Sequence, residues 1–250
     1  MSSPIILAGA FPLEINGIKK RGRFRRAGNG CYEGETGGVS VILAVSGMGE
    51  DNAYSTAKKI LLLYPDARAY VSAGLSAALV SGLVPGDIVG ATEIIETSSG
   101  NIYHCAPGLI DSLTKVKCRT GKFAAVSGTI ITSAEKKKIA DATGAVALDM
   151  ESGGAARACK DAGIPFIAIR AISDMLDEDL PVDFNLFMDD GKINPTRLIF
   201  YLLAHPWKIP ALIKLGRNSS LACEKLGEAV ESFFSTASIP GGNFMLRVTR

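Results

Sequence analysis

The sequence predicts an α/β protein: a three-layer α/β/α domain whose central sheet is parallel or mixed. Two observations carry this. Short apolar runs at strand length alternate with longer segments of helical pattern, and no long linker divides the 250 residues, nearly half of which are hydrophobic. Alternation of this kind covers a sheet on both faces, and a chain of this length can bury one substantial core. A single domain is therefore expected over residues 1–234.

Taken in order, Ile5 to Ala10 reads as a strand, Val39 to Ser46 as another, Asn52 to Leu63 as a helix and Ala69 to Ala73 as a strand. Pro85 and Gly86 turn the chain into a strand over Asp87 to Ile95. Leu109 to Val116 reads as helical, Phe123 to Ser127 as extended and Ala134 to Ala140 as helical. Val146 to Leu148 and Phe166 to Ile172 are apolar runs, part β-branched, separated by the Ala-rich helical pattern Ser152 to Ala162. Asn194 can cap and Pro195 can open an apolar helix, Pro206 and Pro210 are expected to interrupt it, and a last helix is expected from Ser220. From Ser235 the chain turns small and polar, so 235–250 is expected to be a disordered tail.

Composition narrows the function. Lysine and arginine number 27 against 25 acids, so no global field favours nucleic acid. Five scattered cysteines without CxxC spacing or a secretory leader point to a reducing cytoplasm, and the two histidines lie near no ligand cluster, so no metal is expected. Arg21, Arg23, Arg25 and Arg26 form a basic cluster that reads as a solvated loop, or alternatively as a site for phosphate or an acidic surface.

The sharpest signal is a pair of acids. Met150 with Glu151, and Ser173 with Asp174, are expected just past the carboxyl ends of neighbouring parallel strands, the edge at which open α/β sheets bind ligands. A carboxyl group there is partly desolvated, which raises its pKa and suits it to acid chemistry near neutral pH. Helix capping is the alternative reading of both acids. Ser46, Gly47, Met48 and Gly49 form a glycine turn whose small residues let backbone approach a ligand, with a plain strand-to-helix turn as the alternative.

The stretch LDMESGGAARAC followed by RAISD resembles the nucleoside phosphorylase and nucleosidase superfamily, in particular the nucleosidases of methylthioadenosine and S-adenosylhomocysteine. IILAGAFPLE, VSGMGEDNAYSTA and VSAGLSAALVSGLVPGDIV resemble the same family in the same order, between Ile5 and Asp174. The resemblance implies that Asp174 protonates or hydrogen-bonds N7 of adenine, with Ser173 orienting it. It further implies that Glu151 binds the ribose hydroxyls, that Met150 packs on the sugar and that Gly74 faces base and ribose. Ile131 and Thr132 complete the expected substrate-binding set. Glu14 falls on the family's acidic position near the nucleophile, where hydrolytic relatives activate water. Ser46, Gly47, Gly49 and Ser76 make up the expected nucleophile or phosphate region, although this chain carries Leu75 where the nucleosidases have serine, with Ser76 one place later.

The tail INPTRLIFYLLAHPWKIPALIKLGRNS resembles the hopanoid-associated phosphorylases. That resemblance implies release of adenine from adenosylhopane, a nucleoside bearing a lipid, with inorganic phosphate as co-substrate, no cofactor, and a homodimer or higher homo-oligomer. Water as nucleophile, with a small soluble thioadenosine as substrate, is the alternative, and a non-catalytic peripheral membrane protein is a third. Within residues 194–234, the apolar run of Leu198, Ile199, Phe200, Leu202 and Leu203, broken by Pro206 and Pro210, is too short to span a bilayer, which takes about 20 apolar residues. The segment's interleaved Tyr201, Trp207, Lys208, Lys214 and Arg217 suit an interface at the inner face of the cytoplasmic membrane, with core or dimer packing as the alternative.

Overall fold

The structure, a computed structural model, describes residues 3–116, 118–189 and 192–236. The apolar runs form a mixed sheet. Strands β1 (Ile5–Gly9), β2 (Arg23–Arg26), β3 (Tyr32–Thr36), β4 (Val39–Val45), β5 (Ala69–Ala78), β6 (Ile88–Glu96), β7 (Ile102–His104), β8 (Arg119–Ala125), β9 (Ala147–Asp149) and β10 (Phe166–Asp174) pair in one ten-stranded sheet. Helices α1 (Pro12–Lys20), α3 (Pro107–Lys115) and α7 (Ile209–Thr236) pack together against it, and α2 (Glu50–Leu63) packs on α5 (Ser152–Ala162). A further helix, α4 (Ser133–Thr143), leans on β8, and α6 (Pro195–Ala204) precedes α7.

The sheet closes on itself. Its order runs β10-β6-β8-β9-β5-β1-β4-β3-β2, and β10 also pairs with β5, so five strands form a ring with β1, β4, β3 and β2 extending from it. β10 is buried along its whole length, as a strand covered on both faces must be. β9 and β10 are consequently not adjacent parallel strands, as the sequence suggested: β5 lies between them, parallel to β10 and antiparallel to β9. The two acids nevertheless converge, because Ala77 of β5 is the register partner of both Leu148 and Asp174. A register shift between Ile172 and Asp174 marks a bulge at Ser173, a device that re-aims side chains at strand ends.

The expected elements recur with shifted ends, β8 for instance starting four residues before Phe123, and three differences go further. β5 runs five residues beyond Ala73, through the segment that carries Gly74 and Ser76. The arginine cluster is not a loop. Arg23, Arg25 and Arg26 stand on edge strand β2, where Arg25 pairs with Glu33 of β3, and Arg21 reaches Glu228 and Glu231 of α7 at 3.3 and 3.6 Å. Charge on an edge strand discourages further pairing. Pro206 lies just past the end of α6, but Pro210 breaks nothing: it sits in the first turn of α7, where a missing N–H costs nothing, so that helix begins at Ile209 and not at Ser220. Its buried face includes Leu226, Val230, Phe233 and Phe234, while Leu221 stays exposed. The tail expected to be disordered lies, from residue 237, outside the described residues.

Candidate active site

The site is built where β5, β9, β10 and the first turn of α1 meet. Glu14 occupies the third position of α1 and supplies the glutamate half of a capping box, its Oε2 accepting the Phe11 N–H at 2.9 Å while the Glu14 N–H goes to the Phe11 carbonyl at 3.1 Å. Its Oε1 accepts the Leu75 N–H at 2.8 Å, which ties the helix to the middle of β5. Gly74 is required beside it, since a Cβ there would lie 2.7 Å from Glu14 Oε1. Burial pushes the Glu14 carboxyl above its ordinary range, against the opposing pull of the Leu75 and Phe11 amides and of Arg170.

Capping does not account for the other two acids. Glu151 precedes α5, but its side chain makes no cap bond; Asp149 fills that role, accepting from Ser152 N at 3.0 Å and Ser152 Oγ at 2.6 Å. Glu151 turns instead to the glycine turn, where its Oε1 accepts the Gly49 N–H at 2.9 Å. Burial, reinforced by the charges of Asp149 and Glu14, pushes the Glu151 carboxyl up to about 8. Asp174 ends β10 with no helix directly after it. Its Oδ1 accepts from Ser173 Oγ at 2.8 Å and its Oδ2 from Lys136 Nζ at 2.5 Å.

These residues face one cavity of about 270 Å³, lined by Glu14, Ser76, Met150, Glu151, Ser173 and Asp174 together with Phe11, Met48, Leu180, Phe184 and Leu215. Among the described residues Ser76 Oγ is buried there without a hydrogen-bond partner, a hydroxyl left over for a bound molecule. Behind it, Ser46 and Gly74 line a water-sized void of about 10 Å³ beside Glu14, Glu151 and Arg170. Gly47 and Gly49 take left-handed φ angles of 81° and 92° that shape the turn into α2. Gly47 and Gly49 line neither space, and Ile131 and Thr132, expected to bind substrate, also stand outside the lining. Thr132 caps α4 in a box with Glu135, and Ile131 gives its carbonyl to Leu180 N, while Gly128, Thr129 and Ile130 form the wall.

Three charged residues were not expected at the site. Arg170 is buried in mid-β10, where it donates to Ser72 O and Ser72 Oγ at 2.7 and 2.9 Å and pairs with Asp149 at 2.6 Å. An arginine inside a continuous apolar strand is a readable signal, because a buried charge requires a partner. Asp149, two residues before Glu151, is the acid that answers it. Lys136 gives no such signal, lying in the run Glu135, Lys136, Lys137, Lys138, which reads as a solvated helix face.

A ring of strands that brings three carboxyl groups, a spare hydroxyl and an apolar wall around one small cavity defines an enzyme-type cleft for a small polar molecule. The chain belongs to the Phosphorylase superfamily, whose sequence pattern matches residues 4–204. The 5'-methylthioadenosine/S-adenosylhomocysteine nucleosidase of Exiguobacterium sp. is 28% identical over 195 residues, 67% of this chain and 82% of that protein. The corresponding nucleosidase of Geobacillus kaustophilus is 26% identical over 200 residues, 70% of this chain and 85% of that one. Among solved structures, S-adenosylhomocysteine nucleosidase from Streptococcus pyogenes shares the fold with a TM-score of 0.72 at 20% identity, covering 94% of this chain and 97% of that one. Futalosine hydrolase of Helicobacter pylori shares it with a TM-score of 0.71 at 17% identity, covering 93% and 97%.

Proposed function

We propose that this protein cleaves the N-glycosidic bond of an adenine nucleoside, with water as the attacking nucleophile and Glu14 as its base. The supporting observation is the placement of Glu14, Glu151 and Asp174 around one cavity, together with the nucleosidase relatives. Breaking the ribosyl C–N bond builds positive charge on the sugar and negative charge on the departing base. Carboxylates near the sugar and a proton donor at the base answer those charges. Glu151 accepts the ribose hydroxyls, Met150 packs on the sugar, and Asp174 serves N7 of the purine.

Water is favoured over phosphate by charge. The nucleophile side of the cavity holds Glu14 and Glu151, the Gly49 amide is already given to Glu151, and both terminal nitrogens of Arg170 are given to Asp149 and Ser72, so that only its buried Nε is left without a partner among the described residues. Glu14 must be ionised to act as the base, and a dianion entering beside it would meet like charge. Purified protein incubated with adenine nucleosides, with and without phosphate, is expected to release adenine and free sugar in both cases, followed by mass spectrometry. A phosphorylated sugar formed only with phosphate would instead favour the phosphorylase expected from the sequence.

The substrate's class is proposed from the C-terminal elbow. Among the described residues no single helix is long and apolar enough to cross a membrane, but α6 and α7 meet at 108° and expose Ile199, Phe200, Leu203, Trp207 and Ile213. Residues 194–223 contain no acid, while Arg197, Lys208, Lys214 and Arg217 are basic. Leu215 and Ser219 of α7 line the cavity, which sets the elbow beside its mouth. An apolar, acid-free elbow so placed fits an anionic lipid surface, and so a nucleoside carrying a lipid such as adenosylhopane. Flotation with vesicles containing phosphatidylglycerol is expected to carry the protein. Paired Phe200→Ser and Trp207→Ser substitutions are expected to abolish that flotation and leave turnover of soluble methylthioadenosine intact.

A further inference from the structure

We propose that Lys136 is a positioning residue that resupplies Asp174 with the proton given to the leaving purine, an inference that rests on the adenine-releasing reading above. Lys136 is fully buried, the only buried residue of α4 among the described ones. Its Nζ donates to Asp174 Oδ2 at 2.5 Å, to Met175 O at 2.8 Å and to Glu178 O at 2.9 Å.

The number of acceptors around Nζ matches what a relay requires. An ammonium group has three N–H bonds, and here one points at the Asp174 carboxyl group and two at backbone carbonyls. When the proton facing Asp174 is passed on, a neutral amine keeps two N–H bonds, which still satisfy Met175 O and Glu178 O. Its new lone pair then faces the carboxyl group as an acceptor. The proton therefore moves without leaving any of these buried polar groups unpaired, the loss that makes most buried charge changes costly. An arginine could supply the charge but not the proton.

Atoms and charge balance through the cycle. The C1′–N9 bond breaks and its electron pair passes into the purine. N7 takes a proton from the Asp174 carboxyl, and Asp174 is reprotonated from Lys136 Nζ. At the other end, water forms the new C1′–O bond and gives its proton to Glu14. After adenine leaves, Glu14 returns that proton to solvent and Lys136 regains one from it. The surrounding charges are paired elsewhere. On α4, Glu135 binds Thr132 and Lys137 pairs with Asp177; Asp179 accepts from Ser133 N; Glu178 pairs with Lys214 of α7.

The test compares two leaving groups. 4-Nitrophenyl β-D-ribofuranoside expels a phenolate that needs no protonation, whereas adenine needs it. Lys136→Met and Lys136→Gln are expected to lower adenine release by about 10²-fold, the usual scale of a lost proton donor, while cleavage of the nitrophenyl riboside stays within about threefold. The pH profile of kcat for adenine release should change in the variants as well. Equal loss on both substrates, or loss on neither, would overturn the relay. Lys136→Gln keeps two N–H donors for the carbonyls and serves should Lys136→Met fail to fold. Wild-type protein that cleaves the nitrophenyl riboside but releases no adenine would sink the functional reading, and the relay with it.

Discussion

The two ends of the cavity are charged in opposite styles. At the end proposed to hold the sugar, Glu14 and Glu151 are held by the amides of Leu75, Phe11 and Gly49, and both carboxyl groups are pushed up. At the end proposed to hold the base, Asp174 has an ammonium and a hydroxyl donating to it. The contrast is chemical. An end that must take a proton from water gains from carboxylates made more basic by burial, and an end that must give a proton gains from a donor standing behind its acid.

The largest test of that contrast removes the acids themselves. Asp174→Asn is expected to reduce adenine release by about 10³-fold or more yet leave nitrophenyl riboside cleavage largely in place, and Glu14→Gln to reduce both by about 10²- to 10⁴-fold. Steady-state kinetics on the two substrates reads the difference; equal patterns in the two variants would erase the distinction between the ends.

Next in size is the buried pair that supports the sugar end. Arg170→Met leaves Asp149 charged and without its cation, which costs about 3–5 kcal/mol. For a domain of this size that corresponds to a fall in Tm of roughly 6–20 °C, measurable by calorimetry. A smaller effect is expected at Gly74→Ala, where the added methyl group meets Glu14 Oε1 at 2.7 Å. Overpacking of this kind costs about 1–3 kcal/mol, and here it should reduce kcat more than it reduces Tm, because the displaced atom belongs to the proposed base.

The subtlest prediction concerns pH. The Glu151 carboxyl stands at about 8 in the folded protein against an ordinary 4.5. A raised carboxyl contributes stability that is full below the unfolded value and is lost as pH rises through the folded one. The wild-type Tm is therefore expected to decline between about 4.5 and about 8, and Glu151→Gln to decline less over the same window. Thermal melts across that range compare the two; parallel slopes would mean that Glu151 titrates as an ordinary exposed acid.

Local pattern was enough for much of the scaffold. Helix α5 begins and ends at the residues expected, because Ala-rich helical content is bounded by Glu151 before it and Gly163, at a left-handed φ of 68°, after it. The hairpin β2–β3 was missed because its arginines and glutamates mask the alternation, and α1 because it is short and holds an inward acid. The limits of β5 were missed because Gly74 in mid-strand reads as a turn until Glu14 is seen lying against it.

By itself the sequence determined that apolar runs would form a covered sheet and that Glu151 and Asp174 would sit at strand ends, whereas Glu14 was placed by resemblance alone. The sheet and the two strand-end acids follow from periodicity and from the types of residue that punctuate it, which act over a few positions. Tertiary structure alone decided that Glu151 reaches Gly49, 102 residues away, and that Arg170 answers Asp149. It also decided that one lysine of a run is buried on Asp174, 38 residues away. Burial and pairing are set by distances through space, and a charge run looks the same in sequence whether water or a carboxylate receives it.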